Sequence, residues 1–203
     1  MIIIWILAFI VAITIHEAAH AWTSDKLGDP TARIMGRITL NPLASIDLYG
    51  TIIIPLLLAI VGAPILGWAK PVEFDPYNLK NPRKDSAIIS LAGPAINIAL
   101  AILISIVVRL INLPSLIEII LFILIRVNIT LAIFNLIPVH PLDGGKILAG
   151  ILPQKEATEF DLFLNRYGML LLIFIIFPIY NGASIVSLIV SPISNFLLTL
   201  LIP

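Results

Sequence analysis

The chain has no cysteine, which excludes disulfides, thiol nucleophiles and Cys-ligated zinc or iron–sulfur centres. Charge is scarce as well: only 12% of the 203 residues are Asp, Glu, Lys or Arg, about half the share of an ordinary soluble domain. The 12 basic and 12 acidic residues cancel, so no net field draws nucleic acid and no charged tail suggests a tether. The N-terminus lacks the basic start and small-residue cleavage site of a signal peptide, so Met1–Trp22 reads as a retained first membrane helix. What the chain does have is 60% hydrophobic residues, gathered into runs long enough to cross a bilayer core that needs about 20 residues. Against that background its three histidines fall in only two short segments.

The runs predict an all-α integral membrane protein, a polytopic bundle of about five or six segments forming one embedded unit over residues 1–203. The expected spans are 2–23, 86–110, 115–137 and 167–202, the last either a tight hairpin of two spans or one span plus an interfacial helix, because Pro178, Asn181 and Gly182 punctuate it. Arg33–Leu40 reads as a small β-hairpin near the cytoplasmic face. Residues 50–68 are apolar but broken by Pro55, Gly62, Pro64 and Gly67, so they either span or re-enter. As a full span they put Lys26, Arg33 and Arg37 opposite Lys70, Lys80, Arg83 and Lys84, and the charge bias is weak. As a re-entrant segment they gather those seven with Lys146, Lys155 and Arg166 on one face, leaving Arg109 opposite and Arg126 inside a span. The positive-inside rule then makes that face cytoplasmic, and the four breaks favour this arrangement.

His16-Glu17-Ala18-Ala19-His20 is an H-E-x-x-H sequence on a helix. It sets two imidazoles one turn apart on one face, with a carboxylate beside them, suiting a zinc ion and an adjacent general base. The plain alternative is a pair of histidines hydrogen-bonded in a helix bundle, but ionisable groups within spans are costly and are functional by default. A catalytic zinc uses three protein ligands plus a water. Asp143, in Pro141-Leu142-Asp143-Gly144-Gly145, is the natural third ligand; its other reading is a turn or N-cap aspartate ahead of Lys146-Ile147-Leu148. In the re-entrant topology the first span and the 115–137 span end on the same face, so the two segments meet. His140 reads as a loop histidine, a proton shuttle or a fourth ligand. Asn97 and Asn135 read either as interhelical hydrogen-bonding groups or as parts of the site.

These residues, with Ala92-Gly93-Pro94-Ala95-Ile96-Asn97 and Asn135-Leu136-Ile137-Pro138, resemble the site-2 proteases, intramembrane zinc metalloproteases, in their short form without a PDZ domain. The resemblance covers most of the chain. It implies cleavage of a peptide bond in or beside a transmembrane segment, as in regulated intramembrane proteolysis. It makes His16, His20 and Asp143 the ligands of one zinc per chain and Glu17 the base, and it gives Asn135, with Asn97 as a weaker candidate, a substrate or transition-state contact. His140 departs from the pattern, where similar sequences more often carry an apolar residue or proline.

With a rise of about 1.5 Å per residue, His16 lies roughly 22 Å from Met1 along its helix, within a hydrocarbon core of about 30 Å and nearer the cytoplasmic edge. The expected substrate is therefore a single-span membrane protein in the lipid bilayer, with the enzyme a multi-pass protein of the cell membrane and any regulatory membrane partner unknown. The hairpin expected at Arg33–Leu40 would add a strand to the unwound substrate. Two rival functions remain at this level: a non-catalytic zinc-binding membrane protein, and a metal or solute transporter using His and Asp as a transit site. The lack of internal repeats argues against the transporter.

Overall fold

The computed structural model describes residues 1–53, 56–57, 68, 70–180 and 183–202. Its helices are α1 (Ile2–Leu27), α2 (Thr31–Ile34), α3 (Pro42–Ser45), α4 (Pro82–Leu110), α5 (Ser115–Asn135), α6 (Asp143–Ile151), α7 (Gln154–Ile176) and α8 (Ile185–Leu201). A π-helical turn at Leu48–Ile53 and a 3-10 turn at Pro76–Asn78 lie between α3 and α4. Among the described residues three helices, α1, α4 and α5, are long and apolar enough to cross a membrane, matching the expected spans at 2–23, 86–110 and 115–137. The expected 167–202 stretch is broken at its proline: α7 ends at Ile176, short antiparallel strands Pro178–Tyr180 and Ala183–Ser184 pair, and α8 returns. Most of 50–68 lies outside the described residues.

α1 is apolar through its first 12 residues and has no N-terminal side-chain cap. It ends where Gly28 takes φ 114°, a left-handed cap that satisfies the last carbonyls through Ser24 O and Asp25 O. Packing within the bundle relies on small residues. Ala8 and Ala12 of α1 meet Ile123 and Val127 of α5, and Ala101 of α4 meets Ile125, Ile129 and Ile133 of α5 with Val190 and Leu198 of α8. Without water to drive association in lipid, such close backbone approach is what holds helices together. α4 is central, packing against α1, α5 and α6. It runs antiparallel to α1, because His20 meets Ile89 near the start of α4 while His16 meets Asn97 two turns on.

The β-hairpin expected at Arg33–Leu40 does not form. Pro30 opens a single helical turn instead, with Ile34 N and Met35 N donating to the carbonyls of Pro30 and Thr31 at 2.9 and 3.0 Å. Gly36 at φ 68° then reverses the chain, a conformation glycine adopts at little cost. The Arg37 guanidinium takes the carbonyls of Ala44 and Pro71, so the segment is tied by a side chain where a ladder was expected. The β-rich reading of Arg33-Ile34 failed because a local turn satisfied the backbone first.

The loop before α4 is anchored by Asp29, which is fully buried. Its carboxylate accepts from Thr31 Oγ1 at 2.6 Å, Thr31 N at 3.2 Å, Asp75 N at 2.8 Å and Asn78 Nδ2 at 2.8 Å. This clasp fixes Asp75 and Asn78 beside the end of α1.

Candidate metal centre

His16 and His20 lie one turn apart on α1 and are 2% and 7% exposed. Their rings meet edge to face with centroids 4.6 Å apart. Each is pinned by its outer nitrogen. His20 Nδ1 donates to the Ile89 carbonyl at 2.7 Å and His16 Nδ1 to Asn97 Oδ1 at 3.0 Å. A carbonyl can only accept, so the proton of a neutral His20 sits on Nδ1 and the Nε2 lone pair faces inward.

Asp143 closes the cluster from α6. Its Oδ2 lies 3.1 Å from His16 Nε2 and 3.3 Å from His20 Nε2. Among the described residues, His16, His20 and Asp143 form a group whose ligand atoms all lie within 4.8 Å of one another. Tetrahedral zinc with bonds of about 2.0–2.1 Å holds its ligand atoms about 3.3 Å apart, so the donor set fits zinc in type and spacing. The reading of Asp143 as a helix cap does not hold: Leu142 occupies the N-cap position and no side chain caps that helix.

Two glycines make the approach possible. A Cβ on Gly93 of α4 would lie 2.4 Å from His20 Nε2 and 2.6 Å from His16 Nε2, so only a bare backbone lets α4 pass across the mouth of the imidazole pair. A Cβ on Gly144 would lie 2.3 Å from the Leu136 carbonyl and 2.4 Å from that of Ile137, so Gly144 lets α6 turn tightly enough off α5 to aim Asp143 at the histidines.

Glu17 is next to His16 on α1, rotated about 100° around the helix. Its Oε2 accepts from the backbone N–H of Val72 at 3.0 Å, in the irregular stretch Lys70–Asp75. Asn135, half-buried at the end of α5, donates from Nδ2 to Leu131 O at 3.0 Å. Asn97 sits among the helices as an interhelical hydrogen-bonding group. It is fully buried, and its amide is taken up by His16, by Asn128 Oδ1 at 2.9 Å and by Ala12 O at 3.4 Å.

His140 stands outside the ligand group. It lies in the turn between α5 and α6, wedged against α6 and α7: a Cβ on Gly145 would lie 3.0 Å from its Nδ1, and one on Gly168 2.8 Å from its Cβ. Burial holds its imidazole below the ordinary value, with Lys146 adding to the effect and Asp161 opposing it.

The sequence alone did not single out Asn128, the Val72 amide or the Ile89 carbonyl. Asn128 carried one usable signal, an amide in the middle of an apolar run, which must find partners inside the bundle.

A family model described as Peptidase family M50 matches residues 4–120 and 111–175. YwhC of Bacillus subtilis, which carries the name of a zinc metalloprotease, is 33% identical over 194 residues, 87% of this chain and 85% of that protein. Rip2 of Mycobacterium tuberculosis, named likewise, is 28% identical over 181 residues, 87% of this chain and 68% of its own length. The zinc metalloprotease MJ0392 of Methanocaldococcus jannaschii is 28% identical over 156 residues, 75% of this chain and 36% of its own. No solved structure gives a significant match.

Proposed function

The chain belongs to peptidase family M50, the site-2 proteases, and from that premise we propose that His16, His20 and Asp143 hold one zinc ion and that Glu17 is the general base of a membrane-embedded endopeptidase. The family makes the protein an intramembrane zinc metalloprotease with membrane-protein substrates. The observation that carries the residue assignment is the convergence of three donor atoms from α1 and α6, with spacings of 3.1 and 3.3 Å between histidine and carboxylate.

Bound zinc supplies a lowered water pKa and a polarised carbonyl. The rest is done by the chain. Ile89 and Asn97 hold the two rings so that their lone pairs converge. The Val72 amide holds one Glu17 oxygen, leaving the other to take the proton of the attacking water and return it to the leaving amine. Asn135, ahead of the ligand-bearing turn, is the residue assigned to bind the substrate backbone in this reading.

Topology supports substrate entry from the membrane. α1 and α4 are antiparallel neighbours, so the chain between them begins and ends on one side. Within it Trp68 N donates to Gly50 O at 3.0 Å and Thr51 Oγ1 to Trp68 O at 2.8 Å, so the ends of 50–68 meet. That favours re-entry over a full span. With α7 and α8 as a closing hairpin, the bundle has five or six segments in one unit over 1–203. The positive-inside rule puts the metal centre nearer the cytoplasmic face of the cell membrane. The substrate is then a single-span protein whose helix unwinds locally, because intrahelical bonds otherwise shield each amide.

The test pairs metal analysis with cleavage of a co-expressed single-span reporter by wild type and Glu17→Gln. The variant is expected to keep its zinc and lose roughly 10²-fold or more in rate. Cleavage at the wild-type rate by a zinc-loaded variant contradicts the assignment.

A further inference from the structure

The two imidazoles reach their inner-lone-pair state by different means. For His20 the partner is a carbonyl, which can only accept. For His16 the partner is an amide, which could present either its oxygen or its nitrogen. With the nitrogen toward Nδ1, His16 would have to carry its proton on Nε2, and no lone pair would be left for a metal. Something must therefore decide which way Asn97 faces.

The structure assigns that decision to Asn128 of α5, as a positioning residue that acts on His16 through Asn97; the assignment builds on the proposed ligand role of His16. A chain of hydrogen bonds with one polarity runs across three helices. It starts at Leu124 O, a backbone acceptor with no choice. Asn128 Nδ2 donates to it at 2.8 Å, which turns Asn128 Oδ1 toward α4. Asn97 Nδ2 donates to that oxygen at 2.9 Å, and the Ala12 carbonyl at 3.4 Å accepts from the same nitrogen. Both amide hydrogens of Asn97 are thus directed at acceptors, so its Oδ1 faces His16 Nδ1. His16 Nδ1 then carries the proton and Nε2 the lone pair.

Asn97 and Asn128 are both fully buried, so water cannot substitute for either partner. A fully buried amide pair in lipid is costly unless every group is matched, and here the matching imposes a direction. Partners of this kind, one step beyond a metal ligand, typically contribute a factor of about 10–100 in metal affinity or activity.

The experiment uses the full chain in detergent, purified without metal. Zinc affinity is measured by chelator competition, and the ¹⁵N shifts of labelled histidine, at a pH where the rings are neutral, report which nitrogen carries the proton. Asn128→Leu keeps the bulk and removes the acceptor; it is expected to give His16 an Nε2–H population and to weaken zinc binding about tenfold or more. Asn128→Asp offers a carbonyl to Asn97 and, neutral when buried, an O–H to Leu124 O; it is expected to stay within about threefold of wild type. Ser105→Ala removes a buried bond from α4 to the Leu201 carbonyl of α8, far from the histidines, and is expected to leave zinc affinity and tautomer unchanged.

Wild-type tautomer and affinity in Asn128→Leu overturn the assignment, as does Asn128→Asp behaving no better than Asn128→Leu. If Asn128→Leu does not fold, Asn128→Asp decides alone: an Nδ1–H His16 with near wild-type affinity supports the relay, and loss of both contradicts it. Should wild type bind no zinc, the ligand set fails, while the tautomer of the metal-free protein still tests the relay.

Discussion

At the scale of single residues, the centre depends as much on a missing side chain as on those present. Gly93→Ala would place a methyl group 2.4 Å from His20 Nε2 and 2.6 Å from His16 Nε2, where the ligand lone pairs converge. Zinc content is expected to fall to a small fraction of wild type while the spans still insert, read by metal analysis of the purified variant. Asp29 makes a different prediction. Burial alone would raise its pKa, but the donors on Thr31, Asn78 and Asp75 outweigh that and hold the carboxyl below its usual range. A pKa lower in the folded state contributes stability above the unfolded value of about 3.9 and loses it as pH falls through that value toward the folded one. Asp29→Asn is therefore expected to cost on the order of 2 kcal/mol at pH 7, with the gap to wild type closing as pH drops below about 4, measured by thermal melts across pH. H-E-x-x-H and Asp143 were legible because metal chemistry fixes residue type and spacing. Asn128 was not, since a lone amide in a greasy run has no spacing to betray it until its partners on two other helices are known.

At the scale of elements, the least expected finding is the irregular stretch Lys70–Asp75, held at Asp75 by Asp29 and touching Glu17 through the Val72 amide. The Lys70-Pro71 and Asp75-Pro76 pairs mark this segment as loop but give no reason to place it against Glu17, because a backbone donor leaves no trace in residue identity. Val72→Pro removes that donor, and Pro71 ahead of it already lies in loop backbone of the kind that precedes a proline. About a tenfold loss in kcat is expected, with zinc content unchanged, since one hydrogen bond to a carboxylate contributes about 1.5 kcal/mol or more. Unaltered kcat would mean that Glu17 is oriented by other contacts. Arg33–Leu40 shows the opposite case. The segment read as a small hairpin, but Pro30 and Gly36 imposed a helical turn and a reversal. Three of the expected runs coincide with helices long and apolar enough to cross a membrane, because about 20 apolar residues in lipid have few alternatives to a helix.

At the scale of the whole molecule, composition alone said membrane, and the antiparallel α1–α4 pair adds that everything between them starts and finishes on one side. Because the chain has no cysteine, single cysteines at Arg37 and Lys80 give a clean topology test: both are expected to label from the same side of sealed vesicles, and labelling from opposite sides would require 50–68 to cross. The same arrangement packs α4, through Gly93, against the histidines of α1 that meet Asp143 of α6. The central claim is that two imidazoles and one carboxylate of this chain hold zinc there, and it is most directly tested by X-ray absorption at the zinc edge of the purified, zinc-loaded protein. The account predicts only nitrogen and oxygen neighbours at about 2.0–2.1 Å, two of them imidazoles, with one imidazole lost in His20→Ala. A zinc environment identical in His20→Ala and wild type, or a purified wild type that binds no zinc, would contradict it.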